Sequence, residues 1–201
     1  MTDVKAATPW RTNADLIVSC RTLGYLRDDW VTLDPTYGRG TFWNLWRPKN
    51  LRWHDLKLDG VDFRQLPYPD HLFEAITFDP PYKLNGTPTA AVDERYGVDA
   101  YASREDRHEL IRAGMKECHR VLHPGGSLLV KCQDQVNGGR VRWQTIEFAN
   151  YGVELGLELV DMLHMLGGRP QPPGRRQEHA RRNYSTLLVF RAAKAKRGRR
   201  A

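Results

Sequence analysis

No apolar run in the chain approaches the roughly 20 residues that a membrane-spanning helix needs, so a transmembrane reading is excluded. Cysteine is scarce. Cys20, Cys118 and Cys132 are scattered and lack CxxC spacing, which argues against a disulfide framework or a zinc site and for a reducing, cytoplasmic setting. No paired Cys/His zinc motif is present, and no metal is expected. The start, Met1-Thr2-Asp3-Val4-Lys5, lacks the charged-then-apolar pattern of a secretory signal. Internal repeats and an obvious inter-domain linker are missing too. What is left is a globular chain of 201 residues, 40% hydrophobic and 27% charged, a length that suits one domain with an appended tail.

Its charge is unevenly placed. Of the 31 Lys and Arg residues, 11 fall between Arg169 and Ala201 against the single acid Glu178, so the net charge of +7 arises in the last sixth of the chain. Such asymmetry points to a polyanionic partner, most often nucleic acid.

Hydrophobic patterning predicts strands over 31–34, 51–55, 73–78, 127–132, 157–166 and 186–190. Helices are predicted over 103–122 and near 145–155, the first with Ser103 and Asp106 as a capping box and Pro124-Gly125-Gly126 as its stop. Strands alternating with helices indicate a doubly wound α/β sheet. The expected organisation is an N-terminal segment (1–30) packed on the ligand side, a catalytic domain (31–192) and a basic tail (193–201). Residues 83–102 and 167–183 fit no regular element. As long loops after predicted strands, they are expected to cover a site.

Leu33-Asp34-Pro35-Thr36-Tyr37-Gly38-Arg39-Gly40-Thr41 reads as a strand entering a tight glycine turn that lets the backbone approach a ligand. Trp43 stands where a dinucleotide fingerprint needs its third glycine, and no Gly-Lys-Ser/Thr follows, so neither a nicotinamide nor a phosphate loop is indicated. Asp34, Asp55 and Asp62 fall at successive strand ends. Three carboxylates there suit a ligand with an ammonium, ribose hydroxyls and an adenine amino group, whereas a pyrophosphate would be repelled. Each Asp taken singly would also serve as a turn or cap residue.

Phe78-Asp79-Pro80-Pro81-Tyr82 carries the strongest signal. Two prolines remove two N–H donors after a strand, leaving an acceptor-only pocket formed by the Asp79 carboxylate and backbone carbonyls, with the Tyr82 ring beside it. That pocket suits a planar heterocycle bearing an exocyclic amino group. Such a nitrogen is a poor nucleophile because its lone pair is delocalised into the ring. Holding both N–H bonds favours pyramidalisation, and Asp79 offsets the positive charge that builds as the nitrogen reacts.

With these residues in place, the chain resembles the S-adenosylmethionine-dependent amino-methyltransferases that include DNA adenine-N6 and cytosine-N4 methyltransferases. Asp34–Thr41 is similar to their cofactor motif, usually Asp-Pro-Phe-x-Gly-x-Gly-Thr, with Thr36 in place of Phe. Asp79-Pro80-Pro81-Tyr82 matches their catalytic motif, and Asp62–Pro67 and Arg182–Phe190 resemble later family segments. The resemblance spans about Val31 to Arg191. It implies a Rossmann-like seven-stranded sheet with helices on both faces and the last strand antiparallel. It also implies that Asp34, Pro35, Thr36, Gly38 and Gly40 hold the methionine part of S-adenosylmethionine, Asp55 the ribose, and Asp62 with Phe63 the adenine. The expected target is adenine N6 in DNA, with cytosine N4, a base amino group in RNA, or a catalytically silent nucleic-acid-binding module as alternatives. No large insert separates the two motifs, so DNA contacts are expected from residues 83–102, 167–183 and the basic C-terminal segment.

Overall fold

The computed structural model describes residues 10–84, 104–167, 178–180 and 182–194. Most of the two long loops and the terminal basic run lie outside the described residues. The first element, α1 (Asn13–Thr22), starts at a capping box: the Thr12 hydroxyl accepts from Asp15 N at 3.2 Å, and the Asp15 carboxylate accepts from Thr12 N at 2.9 Å. The strands that follow are β1 (Val31–Asp34), β2 (Asn50–Trp53) and β3 (Phe73–Phe78). After α2 (Arg104–Val121) come β4 (Leu122–Cys132), the pair β5 (Gln135–Asn137) and β6 (Arg140–Arg142), α3 (Gln144–Glu154), β7 (Leu157–Leu166) and β8 (Tyr184–Ala192).

The main sheet has the order β2-β1-β3-β4-β8-β7. β2, β1, β3 and β4 run parallel, and β8 lies antiparallel between β4 and β7. Six strands form this sheet among the described residues, where the resemblance implied seven, and the last strand is antiparallel as expected. Alternation along the central strands divides the interior in two. Ile76, Phe78, Leu128, Val130, Leu188 and Phe190 pack with Ile111 and Met115 of α2 and Phe148 of α3. Ala75, Leu129, Leu187 and Val189 pack with Leu16, Ile17 and Cys20 of α1. Strands buried on both faces read as continuous apolar runs, which is why Phe73–Phe78 was recognisable. Gly152 of α3 meets this packing at its closest, since a Cβ there would sit 2.3 Å from the Phe190 ring. Gly152→Ala should therefore destabilise the fold by about 1–3 kcal/mol, visible as a lower melting temperature.

Several elements depart from the sequence reading. α1 was not anticipated. Pro124-Gly125-Gly126 does not end the preceding helix but lies inside β4, where the pairing with β3 shifts register between Phe73↔Leu122 and Ala75↔Ser127. Gly125 has φ +82°, and a Cβ on Gly126 would be 2.8 Å from the Glu74 carbonyl, so the glycines build an irregular crossing rather than a stop. The β5–β6 hairpin also went unread. Its tip is Gly138-Gly139, both left-handed at φ +58° and +70°, the conformation that tight hairpins require. Neither the β1–β2 nor the β2–β3 connection contains an α-helix; the first has only a 3-10 turn, Thr41–Trp43. No helix among the described residues is long and apolar enough to cross a membrane. His119 and His123 have HxxxH spacing, yet α2 ends between them and His123 Nδ1 lies 2.8 Å from the Pro124 carbonyl, so they do not form a helical ligand pair.

Candidate active site

The parallel pairing of β1 with β3 puts their carboxyl ends side by side, the edge where ligands bind in open α/β sheets. Asp34 ends β1 and Asp79 follows β3. One side chain joins them: the Thr36 hydroxyl accepts from Asp79 N at 2.8 Å and donates to Asp34 Oδ1 at 3.3 Å. The usual Phe at this position could make neither bond. The departure from the family pattern therefore ties the glycine turn to the Asp-Pro-Pro-Tyr segment.

Asp34 is 3% exposed. Its Oδ1 also accepts from Thr36 N at 3.0 Å, and its Oδ2 accepts from the Trp43 indole at 2.8 Å. Burial pushes its pKa up to about 7, against the lowering effect of those donors and with a small further push from Asp79. Gly38 and Gly40 both have positive φ. Gly38 N donates to Asp55 Oδ2 at 3.0 Å, so Asp55 braces the turn as well as facing the cleft. A Cβ on Gly40, whose φ is +65°, would lie 2.5 Å from the Tyr37 hydroxyl, so a larger residue would both strain the backbone and displace the Tyr37 ring. The cleft has a volume of about 530 Å³ and is walled by Asp34, Thr36, Gly38, Phe42, Asp55 and Asp79, within the range of small-molecule sites.

Pro35, Thr36, Asp55, Asp62, Phe63 and Leu110 line an adjoining recess. Asp62 does not end a strand. It sits in a turn, accepts from Arg64 N at 2.8 Å and pairs with the Arg64 guanidinium, which holds its pKa low. Asp55 likewise lies two residues beyond the end of β2. Phe63 is buried edge-on against Phe78, with ring centroids 5.2 Å apart. Trp10 is a core residue whose indole donates to Ser19 Oγ at 2.8 Å.

The Asp79 carboxyl is drawn in from solvent, and its Oδ1 is buried without a hydrogen-bond partner among the described residues. Burial raises its pKa, while the positive charges of Lys131 and Lys83 pull it back. Lys131 escaped the sequence reading. It is 3% exposed on β4, its ammonium bonded to Asn13 Oδ1 of α1 and 5.6 Å from the centre of the Phe42 ring. Burial lowers its pKa and the Asp79 charge opposes that shift. The available signal was one lysine inside Leu128-Leu129-Val130-Lys131-Cys132, because lysine is almost never buried without a partner.

A second unread group clamps the chain after the prolines. The Tyr82 carbonyl accepts from both Gln135 Nε2 and Gln144 Nε2 at 2.8 Å. Gln135 Oε1 accepts from Leu84 N at 2.9 Å, and the Lys83 carbonyl accepts from Arg107 at 2.9 Å. Glutamines give sequence reading no purchase, since their value here lies in two-sided amides at positions the fold alone brings together.

A strand-end cleft of this kind defines an α/β methyltransferase-like fold, and comparison with known proteins agrees. The [4+2]-cyclase SpnF superposes with a TM-score of 0.54 at 14% identity, over 96% of this chain and 86% of its own. A protein from Bacillus halodurans described as a methyltransferase gives 0.52 at 13%, over 89% and 99%. A Thermus thermophilus protein described as a DNA modification methylase, in complex with S-adenosyl-L-methionine, gives 0.47 at 16% over 83% of this chain and 57% of its own, so this chain spans little more than half of that protein. No curated protein matches the chain. Residues 73–198 match the family model described as DNA methylase, the N6/N4 methyltransferases. The chain belongs to that DNA methylase family.

Proposed function

We propose that the chain transfers the methyl group of S-adenosylmethionine to the exocyclic amino nitrogen of a base in DNA, with adenine N6 as the target. One observation carries this reading. Asp79, whose Oδ1 is buried without a hydrogen-bond partner among the described residues, lines the same cleft as Asp34, Gly38 and Asp55, and its backbone N–H bonds the Thr36 hydroxyl that also reaches Asp34. A fold shared with a cyclase says little about chemistry, and it is this acidic, glycine-edged cleft that fits the cofactor. Asp34, Pro35, Thr36, Gly38 and Gly40 would hold its methionine part, Asp55 the ribose, and Asp62 with Phe63 the adenine. The bound group supplies an electrophilic methyl on a sulfonium.

The target must leave the duplex stack, at a cost of a few kcal/mol. Tyr82 recovers about 1–3 kcal/mol of that by stacking. Asp79 and a neighbouring backbone carbonyl accept the two amino N–H bonds, turning the nitrogen lone pair toward the methyl. A C–N bond forms as the C–S bond breaks, its electron pair returning to sulfur, and the extra amino proton then departs to solvent. Through the transfer Asp79 offsets the charge on nitrogen. The basic C-terminal segment, with residues 83–102 and 167–183, would hold phosphates.

The test is transfer from labelled S-adenosylmethionine to duplex DNA, single-stranded DNA and total RNA in parallel, with nucleoside mass spectrometry of the products. N6-methyladenine in DNA is the expected product. N4-methylcytosine would change the base, and label in RNA alone would overturn the reading.

A pH dependence follows from Asp34. Its folded pKa, about 7, lies above the ordinary carboxylate value, so its contribution to stability is full in acid and is lost as pH rises to about 7. A cationic ligand reverses this by favouring the ionised form. Cofactor affinity should therefore weaken up to about tenfold per pH unit below 7, and Asp34→Asn should flatten the profile in calorimetric titrations.

A further inference from the structure

We propose that the β5–β6 hairpin and the Trp143 that follows it form the platform holding the DNA strand beside the target nucleotide; this rests on the DNA reading above. The hairpin stands apart from the main sheet and is stitched to the catalytic segment. Gln135 bonds both the Tyr82 carbonyl and Leu84 N, and Asn137 Nδ2 donates to the Leu84 carbonyl at 3.3 Å. Whatever the hairpin touches is thereby placed next to Tyr82.

What it presents is cationic and aromatic. Arg140 is exposed, Arg142 follows two residues on, and Trp143 is 46% exposed. The Arg182 guanidinium lies 4.6 Å from the Trp143 ring centre. Arg182 Nη1 donates to the Ala180 carbonyl at 2.6 Å, while the Nε atoms of Arg142 and Arg182 are buried without a hydrogen-bond partner among the described residues. The nearby acids are already committed. Asp134 accepts from Thr145 N and the Tyr184 hydroxyl, and Glu147 pairs with His108 and Arg112. No carboxylate among the described residues pairs with Arg140, Arg142 or Arg182. His179 Nε2 lies 2.9 Å from the Gly139 carbonyl, fastening residues 178–180 onto the hairpin tip.

Guanidinium forks with no carboxylate partner among the described residues, the exposed Arg140 first, match phosphate oxygens, and an indole backed by an arginine is a stacking face for any base. A surface with both, fixed beside an acceptor pocket for a flipped base, fits a single DNA strand running past that pocket. The anchoring through Gln135 and Asn137 makes it a rigid platform.

The test measures binding of a short fluorescein-labelled DNA duplex to the full chain by anisotropy across a salt series, with cofactor affinity and melting temperature as controls. Trp143→Ala should weaken DNA binding about tenfold, and Trp143→Phe should restore most of it. Arg142→Gln and Arg182→Gln should each reduce the salt slope by about one and leave cofactor affinity unchanged. Arg140→Gln, at an exposed position that the fold tolerates, should do the same even if the other variants fold poorly. Wild-type transfer to DNA together with unaltered affinity and slope in Arg140→Gln and Trp143→Ala would overturn the platform alone. Transfer by the wild type to RNA alone would overturn both proposals.

Discussion

Asp79→Ala should lower methyl transfer by about 10²–10³-fold or more, the cost of deleting one preorganised group that meets charge developing in a transition state, while cofactor affinity stays near the wild-type value. The two effects separate because of how the loop is held. Asp79 enters the Thr36 link through its backbone N–H, which alanine keeps, and Gln135 and Gln144 grip the Tyr82 carbonyl from the other side. The substitution therefore removes the buried acceptor without releasing the segment that carries it. Asp79→Asn preserves one carbonyl acceptor but no charge, so its rate should fall between the two. Single-turnover transfer with titration of the cofactor measures both quantities. Loss of cofactor binding in Asp79→Ala would assign Asp79 to the cofactor, and a rate within tenfold of wild type would remove it from the chemistry.

The route from sequence to structure was direct where apolar residues form local runs or alternate along a strand. β1, β3 and β7 lie where apolar alternation and flanking turns placed them, and α2 and α3 agree to within a residue or two. In those segments neighbouring side chains announce their own environment. α1 was missed because its apolar residues, Ala14, Leu16, Ile17, Val18 and Cys20, do not separate onto one face at helical spacing; Thr12 and Asp15 were the readable sign. The Pro-Gly-Gly run misled because a helix stop and a sheet irregularity share the same residues, and only the pairing of Phe73 with Leu122 distinguishes them. At the site, the motif residues around the cleft were legible because glycine and proline have backbone consequences that sequence displays. Thr36 was legible as a departure, but its hydroxyl bridge was not, since that depends on β1 and β3 being neighbours. Lys131 meets Asn13 across 118 residues of chain, and Gln135 and Gln144 meet Tyr82 across 53 and 62; no local pattern reports such a meeting.

Lys131→Met should displace the acid limb of the pH–rate profile to higher pH and lower transfer along that limb. Burial has already raised the Asp79 pKa, and the Lys131 charge is the first of two influences restraining it. Removing that charge raises the Asp79 pKa further, and each additional unit leaves about a tenth of the former ionised fraction at any pH below it. Only the ionised carboxylate can offset the positive charge on the attacked nitrogen, so the rate follows the ionised fraction and recovers in alkali. Methionine keeps the length and apolar stem of lysine, which limits the disturbance to the Phe42 contact. Lys131 also anchors α1 through Asn13, so Asn13→Ala is the necessary control, since it loosens that helix while leaving the charge in place. If Lys131 acts electrostatically, Asn13→Ala keeps the wild-type acid limb, and adding Lys131→Met to Asp79→Asn costs far less than it does in the wild type. A uniform drop at every pH, reproduced by Asn13→Ala, would make Lys131 an anchor for α1 and leave Asp79 to Lys83 and burial.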